Sequence, residues 1–399
     1  MNLTRRELLH AFAGVASISP LTLARAGTAS GPTLARPEPF SFDLLRERAS
    51  ELARRDFQPT PARAGDVLEG VDYDAFQKIR YRPDRALWAE APHKMPVEFF
   101  HLNRYTKKPV TIYLLQDGKA RQVRYSPRLF DYGGTGLGSR LEPDLGFAGF
   151  RALNPEGEEG DWLAFMGASY FRSSGALNQY GLSARGIAVN TAVPGTQEEF
   201  PRFTALWLEQ PQDREARLTV YALLDGESLT GAYRFDCRKD DGVVMDIEAE
   251  LFQRQDIPEL GMAPLTSMYW YSETNRRRGS DWRPEIHDSD GLAIWTGSGE
   301  RIWRPLNNPP HVQTNTFLDR NPAGFGLLQR DRDFDHYQDD GVFYDRRPSV
   351  WIEPEDDWGE GEIHLVEMPT DDEIHDNIVV FWVPEKPADK GTQWNLKYR

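Results

Sequence analysis

A two-residue repeat of apolar side chains at residues 243–251 limits the folds open to this chain more than any other feature. Val243, Met245 and Ile247 begin an apolar series at alternate positions, and the positions between them are mostly acidic. Because successive side chains of a β-strand point to opposite faces, this pattern predicts a strand with one buried and one solvated face. Such half-solvated strands are typical of antiparallel sheets.

Further strand candidates follow one another through most of the chain, with no alternation of strands and helices. Turns rich in Gly, Pro, Asp and Asn separate them. The candidates cover residues 110–115, 203–208, 217–224, 243–251, 362–367 and 378–383. Only residues 42–55 have the apolar spacing of a helix, with Ser41 as the N-cap. We therefore predict an all-β protein, built as a large antiparallel β-sandwich.

The predicted domain organisation is simple. A content of 39% hydrophobic residues in 399 positions provides a substantial core. Residues 27–384 contain no convincing linker and no internal repeat, so we expect one domain there. Residues 385–399 begin with a segment rich in Pro, Lys and Asp, and we interpret them as a linker and the start of a further, truncated module.

The N-terminus predicts export from the cytoplasm. Arg5 and Arg6 precede a short apolar run at residues 11–23 and a small-x-small cleavage pattern at residues 24–26. This is the order of a twin-arginine signal peptide, so we predict that residues 1–26 are removed and that the mature chain is periplasmic. No window approaches the ~18 to 20 apolar residues that span a bilayer, so we expect no stable membrane insertion.

Charge and composition exclude several kinds of partner. The net charge of −15 and a single short basic run at residues 276–278 argue against a nucleic-acid partner. Neither GxGxxG nor GxxxxGK[ST] occurs, which argues against nucleotide chemistry. The aromatic content of 12% is compatible with stacking on sugars. The single cysteine, Cys237, falls in a strand pattern, and we interpret it as a packing residue and not as a nucleophile.

Residues 283–292 form a segment too polar for a packed core. It contains His287, Asp288 and Asp290, and paired carboxylates are the groups that glycosidic bond hydrolysis requires. The same aspartates also suit an Asx-type turn that ends at Gly291, in which they only accept hydrogen bonds from backbone amides. Taken alone, the segment favours the turn, and a sugar hydrolase is a hypothesis.

Longer motifs resemble a known family, the periplasmic glucan biosynthesis proteins G and D, also called the OpgG/OpgD or MdoG family. The resemblance runs from the helix near Phe42 to the last residue, and the twin-arginine start favours the D branch. The motifs occur in one order and are LGFAGFR (145–151), GASYFR (167–172), QYGLSARG (179–186), EEFP (198–201), HDSD (287–290), RPLNN (304–308), GFGLLQ (324–329), DRDF (331–334) and RPS (347–349).

The resemblance implies a galactose-mutarotase-like β-sandwich followed by a small immunoglobulin-like domain. It also implies an inverting endo-glucanase that acts on linear β-1,2-glucan and uses no cofactor. Asp376 would be the general acid and Asp288 the general base. Tyr344 would lie in the proton path to the base, and Ser289 would assist. The sequence stops where the second domain should begin, so we expect that domain to be missing, with the activity and a homodimer contact left open.

A glucan cleft also needs planar polar side chains beside aromatic rings, to bind sugar hydroxyl groups. The alternative for each candidate is a core aromatic residue or a structural ion pair. The candidates are Tyr170, Arg172, Tyr180, Arg185, Arg332, Asp333 and His336.

Asp376 follows an acidic turn at residues 371–373 and precedes an apolar strand. Desolvation and neighbouring carboxylates would both favour its protonated form, as a general acid requires. His287, Asp288 and Asp290 could bind Ca²⁺ or Zn²⁺, but no HxH or HExxH spacing occurs and a carboxylate pair needs no metal, so we expect none.

Two classes of function stay open, a glucanase and a non-catalytic scaffold that binds glucan and shapes its backbone. They differ in whether Asp376 and Asp288 face each other across a sugar-sized gap.

Overall fold

The computed structural model describes residues 31–89, 95–155, 158–211 and 216–399. The predicted signal peptide, residues 1–26, lies outside them. Four α-helices are described: α1 Phe42–Ala53, α2 Gly65–Glu69, α3 Tyr73–Lys78 and α4 Phe334–Tyr337. Short 3₁₀ helices occupy Pro83–Arg85, Pro127–Leu129, Leu137–Ser139, Glu273–Arg278 and Tyr344–Arg346. Within the described ranges, no helix is long and apolar enough to cross a membrane.

Strands dominate the rest of the described chain. They are β1 Glu38–Pro39, β2 Arg80–Tyr81, β3 Val97–Phe100, β4 Thr111–Gln116, β5 Lys119–Gln122, β6 Phe130–Asp131, β7 Gly149–Leu153, β8 Asp161–Met166, β9 Tyr170–Ser173, β10 Ser183–Arg185, β11 Ile187–Val189, β12 Arg202–Glu209, β13 Arg217–Asp225, β14 Leu229–Lys239, β15 Val243–Gln253, β16 Leu260–Ser267, β17 Tyr269–Tyr271, β18 Ile286–His287, β19 Gly291–Trp295, β20 Arg301–Pro305, β21 Gln313–Arg320, β22 Gly324–Leu328, β23 Val350–Ile352, β24 Glu360–Glu367, β25 Ile378–Pro384 and β26 Gln393–Tyr398.

Two large sheets form the body of the fold. The first has eight strands in the order β1-β5-β4-β12-β13-β14-β15-β26. The second has ten strands in the order β21-β24-β25-β16-β10-β9-β8-β7-β3, with β11 also paired to β16. Among the described strands, β4 and β12 are parallel neighbours and the other pairs are antiparallel. A smaller sheet has the order β20-β19-β22-β23, and β17 pairs with β18.

The two large sheets pack face to face through aromatic side chains. Phe165 of β8 stacks on Phe150 at 5.2 Å and on Phe171 at 5.4 Å between ring centroids, all within the ten-stranded sheet. Phe235 of β14, in the eight-stranded sheet, packs edge-on against Phe165 at 5.1 Å. Cys237 is buried two residues further along the same strand, as the sequence indicated. The predicted all-β sandwich is therefore confirmed.

Helix α1 covers the outward face of the eight-stranded sheet. Ser41 caps its first turn by accepting a hydrogen bond from the backbone of Leu44 at 3.2 Å, as predicted. Leu45 and Ala49 are buried against an apolar cluster that includes Trp207 of β12. The helix is thus held by its apolar stripe, and it ends at Ala53, two residues earlier than the sequence suggested.

The last described strand belongs to the eight-stranded sheet. Residues 393–398 form β26, which pairs with β15 along the register from Phe252 opposite Gln393 to Ile247 opposite Tyr398. The sequence predicted a linker and the start of a truncated module over residues 385–399. Residues 393–398 of that range form a strand, because Leu396 and Tyr398 alternate with exposed positions and have an unpaired edge of β15 to join.

Candidate functional site

One face of the ten-stranded sheet points away from the sandwich core and carries charged side chains. Because Phe171 packs into the core, its neighbours Tyr170 and Arg172 on β9 point to the opposite face. Arg185 of β10 lies directly across from Tyr170. Arg151 of β7 lies across from Ala164, which in turn lies across from Arg172. Three arginines therefore share the outward face.

Neighbouring acidic groups balance these arginines. Arg151 forms ion pairs with Glu98 at 2.7 Å and with Asp161 at 3.6 Å. The buried Arg185 forms an ion pair with Glu198 at 3.0 Å. Burial raises the pKa of the Asp161 carboxyl, although Arg151 opposes the shift. A network of desolvated charges thus covers the outward face of the sheet.

The segments that carry Asp288 and Asp376 lie on either side of one stretch of backbone, where β16 passes into β17. The amide of Asp288 donates to the carbonyl oxygen of Met268 at 2.8 Å. The side chain of Asn377, next to Asp376, accepts from the Tyr269 amide at 2.8 Å and donates to its carbonyl at 2.9 Å. Both segments are therefore anchored on the same stretch of backbone at Met268 and Tyr269.

The guanidinium of Arg172 interacts with both candidate carboxylates. Burial lowers the pKa of Arg172 to about 10, and the negative charges of Asp376, Asp161 and Asp288 oppose this shift. Asp376 is half-buried and Asp288 is 3% exposed. Two acidic groups that lie 88 positions apart in the sequence therefore act on one cation.

Asp288 is held in an ion pair. The guanidinium of Arg347 donates to Asp288 Oδ1. Burial raises the pKa of the Asp288 carboxyl above its usual range, and the Arg347 charge opposes that shift. The carboxyl of Asp288 is thus desolvated, and its charged form is favoured first by Arg347 and then by His287 and Arg172.

Tyr344 lies beside this ion pair. The Arg347 guanidinium stands over the Tyr344 ring, 4.0 Å from its centroid, and Tyr344 is only 1% exposed. Its hydroxyl donates to Glu373 Oε2 at 2.5 Å. Burial raises the pKa of Tyr344 well above its usual value, so the phenol stays neutral and acts as a hydrogen-bond donor.

Glu373 connects Tyr344 to the loop that carries Asp376. Arg283 binds both carboxylate oxygens of Glu373, at 2.9 Å each. Arg283 also contacts Asp339 at 2.5 Å. This clamp fixes one end of the loop, and the Asn377 side chain fixes the other by donating to the Met368 carbonyl at 2.8 Å.

The other polar residues of the segment at 283–292 are engaged within the protein. The Ser289 hydroxyl is buried and hydrogen-bonded to the Ser267 hydroxyl at 2.8 Å. Asp290 accepts hydrogen bonds from backbone amides, including that of Asp331 at 3.0 Å; this amide lies 41 positions further along the chain, so the contact is not that of a local Asx-type turn. Asp288 differs, because its partner is the Arg347 side chain.

The structure brings four of the predicted glucan-binding residues together on the outward face. Tyr180 donates to Asp161 at 2.5 Å, and the Arg172 guanidinium lies 5.4 Å from the Tyr180 ring centroid. Arg185 lies 5.3 Å from the centroid of the Tyr170 ring. Each of the four therefore also has a role in the structural network.

The remaining three lie together near α4. Arg332 donates to the Arg347 carbonyl at 2.5 Å and supports the loop that presents Arg347. Asp333 is the N-cap of α4 and accepts from the Asp335 amide at 3.0 Å. His336 pairs with Asp331 at 2.6 Å. Asp333 thus serves the local backbone.

One group of side chains has a donor set that a metal ion can use. Single ligand atoms of Glu285, Asp331 and His336 lie within 4.8 Å of one another. Each donor already has a partner, because Glu285 pairs with His287 at 2.9 Å and Asp331 with His336. The hydrogen bonds of this group are therefore satisfied by protein atoms.

Arg347, Glu373, Arg283 and Asp161 were not identified from the sequence as site residues. Arg347 lies in the RPS motif at residues 347–349, but a loop arginine gives no sign of a partner 59 positions away. Glu373 was noted only as part of an acidic turn.

The comparisons with known proteins cover almost the whole chain. The sequence profile described as "Periplasmic glucan biosynthesis protein, MdoG" matches residues 40–399. Glucans biosynthesis protein D 2 of Ralstonia nicotianae is 50% identical over 406 aligned residues, covering 99% of this chain and 75% of the relative.

Two further relatives carry the same kind of name. Glucans biosynthesis protein D of Xanthomonas oryzae pv. oryzae is 50% identical, covering 100% of this chain and 76% of the relative. Glucans biosynthesis protein D of Xylella fastidiosa is 52% identical, covering 92% and 68%. The chain therefore belongs to the MdoG family of periplasmic glucan biosynthesis proteins, on the side of the D branch.

Proposed function

We propose that this protein is an inverting endo-β-1,2-glucanase of periplasmic glucan biosynthesis, with Asp376 as general acid and Asp288 as general base. The observation that carries the proposal is the shared position of the two carboxylates. Their segments flank the same stretch at Met268 and Tyr269, and both act on Arg172. The substrate class, linear β-1,2-glucan, comes from the resemblance to the family.

Inversion makes a demand on the separation of the two carboxyl groups. A retaining pair of carboxyl groups lies ~5 to 5.5 Å apart, whereas an inverting pair needs ~6.5 to 9.5 Å to leave room for water. We expect the Asp376 and Asp288 carboxyl groups to lie farther apart than a retaining pair, because inversion must leave room for water. A water-mediated path through Tyr344 would fit a separation beyond the upper end of the inverting range.

Each proposed role places a demand on its surroundings. The positive charges of Arg172 and Arg185 attract the negative charge of Asp376. As the proposed general acid, Asp376 therefore has to receive its proton when bound glucan excludes water from the cleft. Asp288 must be ionised to accept a proton, and Arg347 stabilises that form. The Tyr344 hydroxyl would turn from Glu373 towards the attacking water to complete the path.

One observation favours the scaffold as a second candidate. The groups proposed to form the base path already have protein partners, because Asp288 pairs with Arg347 and Tyr344 donates to Glu373. A protein that only binds glucan would keep both interactions unchanged. The network of charges on the outward face would then provide hydroxyl-binding groups without chemistry.

The deciding experiment is incubation of the purified protein with linear β-1,2-glucan, followed by product-size analysis and by NMR of the newly formed reducing ends. We expect shorter chains whose new ends first appear in the α configuration. Asp376→Asn keeps the shape of the side chain but removes the proton, so it should lose ~10² to 10⁴ in rate while its thermal unfolding stays close to that of the parent.

Cleavage by Asp376→Asn at the parent's rate would refute the acid role. A parent that binds glucan without cleaving it would favour the scaffold. New reducing ends that first appear in the β configuration would refute inversion.

A further inference from the structure

Two exposed apolar residues are sequence neighbours of the two partners of one ion pair at the border of the candidate site. Trp282 is 69% exposed and Ile374 is 45% exposed. Their immediate neighbours are Arg283 and Glu373, which form the two-pronged contact at 2.9 Å described above. The loop that contains Ile374 and Glu373 also carries Asp376. Trp282 and Ile374 therefore belong to the border of the candidate site on the side of Asp376, the proposed general acid. This border is called the rim.

The backbone under Trp282 is fixed on its C-terminal side. The Arg283 amide donates to Asp281 Oδ1 at 3.0 Å, and the Arg283 carbonyl accepts from the Tyr271 hydroxyl at 2.9 Å. The Arg283 side chain is buried among Asp281, Asp339 and Glu373. The indole is thus exposed on a segment that hydrogen bonds hold in place. A ligand that stacks on it therefore loses little binding free energy to ordering of the loop.

Other exposed tryptophans differ from Trp282 in one respect. Trp295 and Trp303 are 38% and 37% exposed, but arginines lie over both rings. Arg301 stands 3.3 Å from the Trp295 centroid, and Arg330 stands 4.7 Å from that of Trp303. Within the ranges that the structure describes, no such cation lies over Trp282.

We propose that Trp282 is a stacking platform for one glucose ring of the glucan chain, and that it sets the length of chain the protein prefers. A pyranose ring presents a face of C–H groups, and a flat indole is the side chain that matches it. A neutral sugar ring also leaves the Arg283–Glu373 ion pair undisturbed, because it adds no charge to the rim.

This inference rests on the proposed function and adds a determinant of chain length to it. A glucose ring bound at the rim lies away from the bond that is cleaved. Its contact with Trp282 stabilises the bound chain, and it leaves the acid and the base unchanged. Such a contact lowers KM and leaves kcat nearly unchanged. Only chains long enough to reach the rim gain from it.

The test uses the full chain and linear β-1,2-gluco-oligosaccharides of graded length, with binding measured by calorimetry and by intrinsic tryptophan fluorescence. For the longest chains we expect Trp282→Ala to bind about tenfold more weakly than the parent. For the shortest chains that bind, the two proteins should bind alike. Trp282→Tyr should recover most of the loss, because it restores an aromatic face.

Trp295→Ala is the matched control, since it removes an exposed indole that an arginine already covers; it should bind glucan as the parent does. Equal binding of long chains by the parent and Trp282→Ala would overturn the platform and leave the proposed function intact. A parent that binds no glucan of any length would overturn the proposed function and the platform with it.

Discussion

The outward faces of the two large sheets carry ion pairs that differ in their exposure to water. On the eight-stranded sheet, Arg238 and Asp246 pair at 2.7 Å and both remain partly exposed to water. On the outward side of the ten-stranded sheet, Arg185 is almost fully buried with Glu198, and the Asp288–Arg347 pair nearby is buried as well. Burying charge costs free energy unless the partners are well placed. The ion pairs that are buried in this way lie on the face that holds the candidate site, whereas the Arg238–Asp246 pair stays in contact with water.

The elements that cover the two outward faces also differ. Helix α1 covers the eight-stranded sheet through apolar side chains such as Leu45. The candidate site is instead bordered by loops that contribute Arg347 and Glu373. The same sandwich architecture thus presents one ordinary surface and one surface where charges are kept from water.

The largest effect that tests this contrast is on glucan cleavage. Asp288→Asn should lower the cleavage rate by ~10² to 10⁴, because an amide cannot act as a general base. Asp246→Asn, on the eight-stranded sheet, is the control and should keep the parent's rate. Product formation from linear β-1,2-glucan measures both. Equal rates for Asp288→Asn and the parent would place the base elsewhere.

The next effect concerns stability. Arg347→Met leaves the Asp288 carboxylate buried without its cation, and removal of one partner from a buried pair costs about 3 to 5 kcal/mol. Arg238→Met removes one partner of the solvated pair with Asp246, which should cost about 0 to 1 kcal/mol. Urea unfolding at neutral pH compares the two variants. Similar losses in both would show that the two faces do not differ in the way described.

A smaller effect is expected from Tyr344→Phe, which removes only the phenolic hydroxyl. The hydrogen bond to Glu373 is lost, and a hydrogen bond to a charged group contributes about 1.5 to 3 kcal/mol. If the hydroxyl also relays a proton, the cleavage rate should fall while glucan binding persists. Calorimetric binding and product formation, measured on the same preparation, separate these outcomes. Unchanged cleavage would remove Tyr344 from the proton path.

The smallest effect is the pH dependence of stability, and its sign should differ between the two faces. Burial raises the pKa of Asp288 in the folded protein. As pH rises, Asp288 therefore ionises in the unfolded chain before it ionises in the folded protein. Its contribution to the free energy of unfolding falls as pH rises from ~3.9 to the higher folded pKa. Asp288→Asn should remove that fall.

Asp246 should behave in the opposite sense. Burial acts to raise its pKa, but hydrogen bonds from Arg399 and Arg238 outweigh this and lower it. Its contribution is present above the unfolded pKa of ~3.9 and is lost as pH falls through the lower folded value. Urea unfolding between pH 2 and 7 measures both aspartates, and slopes of the same sign would contradict the comparison.

The sequence predicted the parts of the fold that depend on local pattern. The strand expected at residues 243–251 extends over Val243–Gln253, because its alternation continues along an apolar face. Helices α2 and α3 were missed, since elements of five and six residues lack a periodic signal. The parallel contact of β4 with β12 was also beyond reach, because it depends on which distant strands meet.

The candidate site was predictable in its chemistry and not in its contacts. The motifs identified Asp288, Asp376 and Tyr344 as residues of interest through the resemblance to the family. Their partners Arg347 and Glu373 become evident only when the folded chain brings separate loops together. Ion pairs between loops follow from the whole topology, and a single sequence holds no direct record of it.

The short stretch at Met268 and Tyr269 has a consequence for motion in the site. Its polar groups hold the Asp288 backbone on one side and the Asn377 side chain on the other. Opening either segment would break hydrogen bonds inside a packed sheet, so these amides should exchange with solvent only in rare, large openings of the fold. The spacing of the two segments is then set by this stretch of the sheet, and the surrounding loops can adapt to glucan chains without moving their anchors.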